Sequence, residues 1–222
     1  MKQQVVSIQV GLPQSFGDQN ATDTMNKVWT TGFFKQPVSG GLWLSRTNLS
    51  GDGQADLKNH GGPEKAVLAY ASSNYPYWQE TLTLPDLPHG AFGENFTVTG
   101  QSEASVCVGD IYTVGTAKIQ VSQPRQPCWK LSRRWQIKDL AMQVQDTGFT
   151  GWYYRVLQEG MVEPGLQLVL CDRPYPQWTI KKANFVMHHD RKNRKMTVEL
   201  AHCPLLSPSW QKTLLKRVKR DI

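Results

Sequence analysis

Ile119-Gln-Val-Ser-Gln-Pro124-Arg-Gln-Pro127-Cys-Trp-Lys-Leu131 decides how the chain is read. It opens with the period of a β-strand, Ile119 and Val121 on one face and Gln120 and Ser122 on the other. Pro124 and Pro127 then stop any ladder or helix, since proline lacks an amide donor and restricts the residue before it. The expected result is a stiff, extended loop presenting Arg125, Cys128 and Lys130 at a strand end. Positive charge on both sides suits a sulfur that binds a soft metal or attacks an electrophile. A buried, inert thiol is the commoner fate of a free cysteine and stays open here.

Outward from this loop, short apolar runs separated by turns recur. Residues 3–10 alternate with Val6, Ile8 and Val10 on one face, and 42–44, 66–71, 96–99, 106–108, 111–114, 152–157 and 166–171 follow. So many short strands predict a mainly β protein, a closed or nearly closed barrel. Helical spacing is scarce in this part: residues 74–84, and 135–146 with Ile137, Leu140, Ala141 and Val144 at three- and four-residue intervals. After Pro174 and Pro176 the pattern changes to three short helices, 179–189, 194–202 and 207–220, the last opened by Ser207-Pro208. The expected organisation is a barrel over 1–172 and a small three-helix region over 177–222.

Charge divides the same way. Residues 177–222 hold eleven basic residues against three acidic ones, a net of +8, while the other 14 basic and 15 acidic residues leave the remainder at −1. A basic tail on a near-neutral body argues for two parts with different jobs. Cys107, Cys128, Cys171 and Cys203 show neither a CxxC nor a paired spacing, against a disulfide scaffold or structural zinc. There is no secretory signal and no membrane-spanning apolar run, so a cytoplasmic location is expected.

The stretch 50–65, SGDGQADLKNHGGPEK, has four glycines and cannot form a packed element. Such a loop lets backbone amides approach an anion. His60, before Gly61-Gly62-Pro63, is a candidate proton donor because the ordinary imidazole pKa lies near neutrality. An ordinary surface turn is the competing reading. A second glycine-bearing loop, Gly90-Ala-Phe-Gly-Glu-Asn-Phe96, leads into a strand.

Together, GDGQADLKNHGGPEKAVLAY, GAFGENFTV, VGDIYTVG, IQVSQPRQPCWKL and TGFTGWYYRV resemble the MOSC domain, named for the C-terminal part of molybdenum cofactor sulfurases. The resemblance is to its bacterial YiiM-type members, in which three helices follow the barrel. It implies a barrel binding a pyranopterin molybdenum cofactor (molybdopterin), with Cys128 as molybdenum ligand. It also implies reduction of N-hydroxylated compounds, such as 6-N-hydroxylaminopurine, to amines. In that reading His60 supplies a proton and Arg125 pairs with the cofactor or sustains Cys128 as its ligand. Asn59, Gly61, Gly62, Lys65, Asn95, Lys130 and Arg155 are candidate contacts to pterin and phosphate, Arg155 being as well suited to a structural ion pair. Electrons would come from an acidic partner: a ferredoxin, a flavodoxin or a flavin reductase chain. A persulfide or cofactor carrier and a nucleic-acid-binding module are the alternatives. Trp210 is the one aromatic residue of the terminal helix, so the tail lacks an interleaved stacking series for nucleic acid.

Overall fold

The computed structural model describes residues 2–220. Twelve strands form: β1 (Gln4–Val10), β2 (Gln14–Phe16), β3 (Trp29–Thr31), β4 (Gln36–Pro37), β5 (Leu42–Leu44), β6 (Val67–Ala71), β7 (Phe96–Thr99), β8 (Ile111–Val114), β9 (Ala117–Pro124), β10 (Trp152–Gln158), β11 (Gly160–Val162) and β12 (Val169–Asp172). Eight of them make one curled sheet in the order β12-β8-β9-β10-β6-β7-β1-β4, while β11-β5 and β2-β3 are separate two-stranded ribbons. All pairings are antiparallel except β6 with β7. Residues 165–168, just before β12, bond to the outer edge of β1 through Val5 N to Leu166 O (3.0 Å) and Leu168 N to Gln3 O (2.9 Å). That contact brings the two ends of the sheet together, so the fold is the mainly β, barrel-like architecture expected. No helix among the described residues is long and apolar enough to cross a membrane.

Several local expectations are corrected. The register of β1 against β7 shifts between Val5 and Ser7, so Val5 turns inward while Val6 is exposed. A β-bulge breaks the simple alternation there. Residues 106–108 make a single antiparallel β-bridge, Cys107 with Thr179, instead of a strand of the sheet, and the Cys107 amide donates to Asp110 Oδ2 (2.9 Å) across the turn that follows. The helix expected over 135–146 forms only from residue 140, as α3 (Leu140–Thr147); an unanticipated helix, α2 (Trp129–Trp135), precedes it, and α1 (Tyr75–Leu82) lies earlier in the chain. Gln136, at φ 55°, ends α2 in the left-handed region that closes many helices. The extended loop therefore stops at Cys128, which caps α2.

Three helices complete the chain: α4 (Ile180–Asn184), which continues as a π-turn over Phe185–His189, α5 (Arg194–Ala201) and α6 (Pro208–Arg220). Thr179 and Asn193 cap α4 and α5 with their side-chain oxygens, and Ser207 Oγ accepts from the Trp210 amide at 3.4 Å. These helices share the barrel's core. Ile180, Val186, Leu200, Trp210 and Leu214 belong to the same buried cluster as Ile8, Phe96, Ile119 and Tyr154. Arg217, one of the cations counted in the basic tail, donates to Val186 O (3.0 Å) and Met187 O (2.7 Å), tying α6 to the π-turn. Asp221, also in that count, lies outside the described residues.

A second cluster joins Tyr70, Tyr75, Trp78, Phe92, Leu131, Leu140 and Val144. It anchors α2 and α3 against α1 and the 90–96 loop, fixing Leu131, three residues beyond Cys128.

Candidate functional site

At the end of β9 a cleft of about 610 Å³, counting its open mouth, is lined by Thr31, Phe33, Lys35, Gln54, His60, Gly61, Lys65, Gly93, Asn95, Arg125, Cys128, Lys130 and Tyr153, among others. Four cations, Lys35, Lys65, Arg125 and Lys130, line it, and no carboxylate does.

Each wall has a local cause. Cys128 (φ −127°, ψ 164°) is where β9's extended run gives way to α2, and it is half-buried. The 90–96 loop wraps around Glu94, whose carboxylate accepts from Tyr75 Oη, Gly90 N (2.7 Å), Phe92 N (3.1 Å) and Thr97 Oγ1 (2.9 Å). Gly93, at φ +78°, lies so close to the Phe33 ring that a Cβ would sit 2.7 Å from it. Gly61, at φ +85°, turns the 50–65 loop back over the cleft beside Gln54.

Arg125 carries the strongest signal. It is 3% exposed, and its Nη1 has no hydrogen-bond partner. No ion pair among the described residues includes it. A buried guanidinium left unpaired costs stability, and native structures rarely tolerate one without a reason.

His60 is corrected in its expected protonation state. Burial, then the positive charges of Lys130 and Lys65, push its pKa down to about 4 against a smaller opposing pull from Asp56, with Arg125 adding to the depression. The imidazole is neutral at pH 7, so it is no standing histidinium donor. Its unfolded pKa, ordinarily near 6.5, exceeds its folded one. The unfolded chain therefore takes up the proton first, and native stability is lost as pH falls from about 6.5 through 4. His60→Gln should lose less stability between pH 7 and pH 4.5 than wild type, as urea midpoints at the two values would show.

Burial lowers the Lys65 pKa. Its ammonium donates to Asn59 O (2.6 Å) and lies 6.0 Å from the Tyr153 ring centre. Tyr153, in turn, is pushed up to about 12 by burial. Asn95 lines the cleft with its amide already committed: Nδ2 donates to Gln9 O (3.2 Å) and Asp52 Oδ2 (3.0 Å), and Oδ1 accepts from Leu68 N (3.1 Å). It positions the wall.

Three expected contacts fall outside the cleft lining. Asn59 is exposed and holds Asp56 Oδ2 at 2.9 Å; Gly62 precedes the 3₁₀ turn Pro63–Lys65. Arg155 faces away. It pairs with Glu64 at 2.5 Å and donates to Gln120 Oε1 (2.9 Å) and Leu205 O (2.9 Å), bracing β10 against the Pro63–Lys65 turn and the chain between α5 and α6. Removing a largely buried charge partner leaves acceptors unpaired. Arg155→Ala should thus lower stability by about 2 kcal/mol, on the order of 5 °C in Tm for a chain of this size. Ligand content per folded molecule should not change, as calorimetry and elemental analysis would show together.

Lys35, Tyr153 and Phe33 were not anticipated. Lys35 is buried and bonded to Asp52, and desolvation lowers its pKa. Asp52 also accepts from Gly11 N (3.0 Å), Gln54 Nε2 (3.1 Å) and Asn95. A lone lysine after two phenylalanines gave no motif, although Asp52 sits in the glycine loop that did.

The model of the MOSC domain matches residues 56–169, and that of the YiiM-like, 3-alpha helix domain matches 178–220. The protein YflK of Bacillus subtilis (strain 168) is 43% identical over 223 residues, covering 99% of this chain and 98% of its own length. A Gibberella moniliformis (strain M3125 / FGSC 7600) protein named reductase is 36% identical over 179 residues, 79% of this chain but 32% of that longer protein. The crystal structure of YiiM from Geobacillus stearothermophilus superposes with a TM-score of 0.81 at 39% identity, covering 97% of this chain and 99% of that one. With His60, Arg125 and Cys128 of the cleft drawn from the first matched segment and the tail helices from the second, the chain belongs to the MOSC domain family, in its YiiM-like form.

Proposed function

We propose that this protein is a molybdenum-cofactor-dependent oxidoreductase that reduces N-hydroxylated compounds, purine bases such as 6-N-hydroxylaminopurine among them, to the amines, removing harmful bases. One observation carries the reading: the buried, unpartnered Nη1 of Arg125 in a cleft with four cations, no carboxylate and one cysteine. That donor set fits an anionic pterin phosphate on one side and a soft metal on the other. The relative named reductase supports the redox class, and the family name supports the cofactor.

Arg125, Lys65 and Lys130 would hold the phosphate, and Cys128 the metal. When bound, the cofactor supplies the two-electron exchange that the side chains alone lack. The reaction consumes two electrons and two protons: the N–O bond breaks, an N–H bond forms and water leaves. His60, neutral, has one N–H and one lone pair, so it passes a proton at a ring nitrogen and does not store one. A bound anion would offset the cations that depress its pKa. Phe33 and Gly93 narrow the cleft and exclude water.

The test is elemental analysis of protein purified from a molybdenum-replete host, with 6-N-hydroxylaminopurine reduction by dithionite. About one molybdenum per chain with amine formed supports the proposal. Sulfane sulfur on Cys128 without molybdenum would replace it by a sulfur-carrier role.

A further inference from the structure

A face beside the cleft combines exposed apolar side chains with cations. Trp129, directly after Cys128, is 51% exposed, and Met142 on α3 is 56% exposed. They line a groove of about 830 Å³ with Met25, Arg133, Lys138 and Ala141; Asp139 is its carboxylate. The indole is held firmly: the Arg133 guanidinium sits 4.6 Å from its ring centre and donates to Lys27 O (3.1 Å), and Trp29 lies 5.5 Å away. Lys130 bridges the two features, lining the Cys128 cleft with its ammonium 5.9 Å from the Trp129 ring. From Arg125 to Lys138 the chain has five cations and no carboxylate.

An apolar centre within a charged rim is the anatomy of a protein interface. The last helix of the basic tail lacks it: α6 exposes no large apolar side chain among its described residues. Arg217 there is bonded to backbone carbonyls, and Lys182 lies over Trp178 at 5.1 Å. Lys216 and Lys219 are then an ordinary solvated basic face.

Resting on the reductase reading above, we infer that the Trp129–Met142 groove is where an acidic electron-carrier protein docks. The reaction must receive electrons, transfer weakens steeply with distance, and this face adjoins the cysteine. Charge complementarity selects the occupant: a second copy would bring like charges together, whereas an acidic carrier is steered in.

Flavodoxin serves as the probe, with Lys138→Glu and Met142→Glu as separate variants, since neither residue lines the Cys128 cleft. Calorimetric Kd for flavodoxin at low salt should rise about tenfold or more in each. Flavodoxin-driven turnover should fall in step and lose salt dependence, with dithionite-driven turnover unchanged. Unaltered binding in both variants, or weakening only on Lys216→Gln and Lys219→Gln, overturns the proposal, as does loss of DNA retention in place of flavodoxin binding. Variant-sensitive binding by a wild type that reduces nothing with dithionite leaves the docking surface standing and removes the reductase reading. Dithionite turnover with no flavodoxin binding removes the surface alone.

Discussion

Cys128→Ser protein is expected to fold as wild type does, yet to retain little molybdenum and reduce N-hydroxylated substrate only at background rate. The fold tolerates the change because nothing structural depends on the sulfur. Cys128 is half-buried, its side chain makes no capping bond to α2, and its carbonyl still accepts from Leu131 N (3.1 Å). Such a substitution costs within about 0.5–1 kcal/mol. The chemistry does not tolerate it, since an alcohol is a poor ligand for a metal that prefers thiolate. Cys171→Ser, at an exposed site, and Cys107→Ser, buried with Sγ 3.5 Å from Pro176 O, should stay within a small factor of wild-type activity. Full activity in folded Cys128→Ser sinks the ligand assignment. Loss in Cys171→Ser without unfolding shows that another sulfur serves.

The cysteine was legible because its neighbours are covalent: Arg125, Pro127 and Lys130 are visible along the chain. Strand alternation located most of the barrel, and the change of pattern after Pro174 and Pro176, with Ser207-Pro208 opening the last helix, located the tail helices. What failed depended on distance in three dimensions. Lys35 meets Asp52 only after β3 and the 50–65 loop are folded together, and the Val5–Ser7 bulge answers to β7. Arg155 has a strand's alternation and a cation's chemistry, but its direction was set by Glu64 and Leu205, far away in sequence. His60 had an ordinary pKa on paper; burial and the convergence of Lys65, Lys130 and Arg125 from different segments changed it.

Arg125→Met is expected to act in opposite directions on stability and on cofactor binding. In the ligand-free protein, Nη1 is a buried donor without an acceptor, which penalises the native state by about 1–3 kcal/mol. Methionine fills similar apolar space with no donor to strand, and the backbone bond from residue 125 N to Gly151 O (3.1 Å) survives the change. The ligand-free variant should therefore melt a few degrees higher than ligand-free wild type, at about 2–4 °C per kcal/mol for a chain of this size. Binding should move the other way. A charge-assisted bond to phosphate is worth about 1.5–3 kcal/mol, so cofactor affinity should fall by about 10- to 150-fold. Tm of ligand-free protein and molybdenum retained after dialysis give the two readouts. A structural arginine would lower both stability and retention together, and a solvent-facing one would change neither. A rise in Tm with a fall in retention is the signature of a buried charge kept in place for an anion.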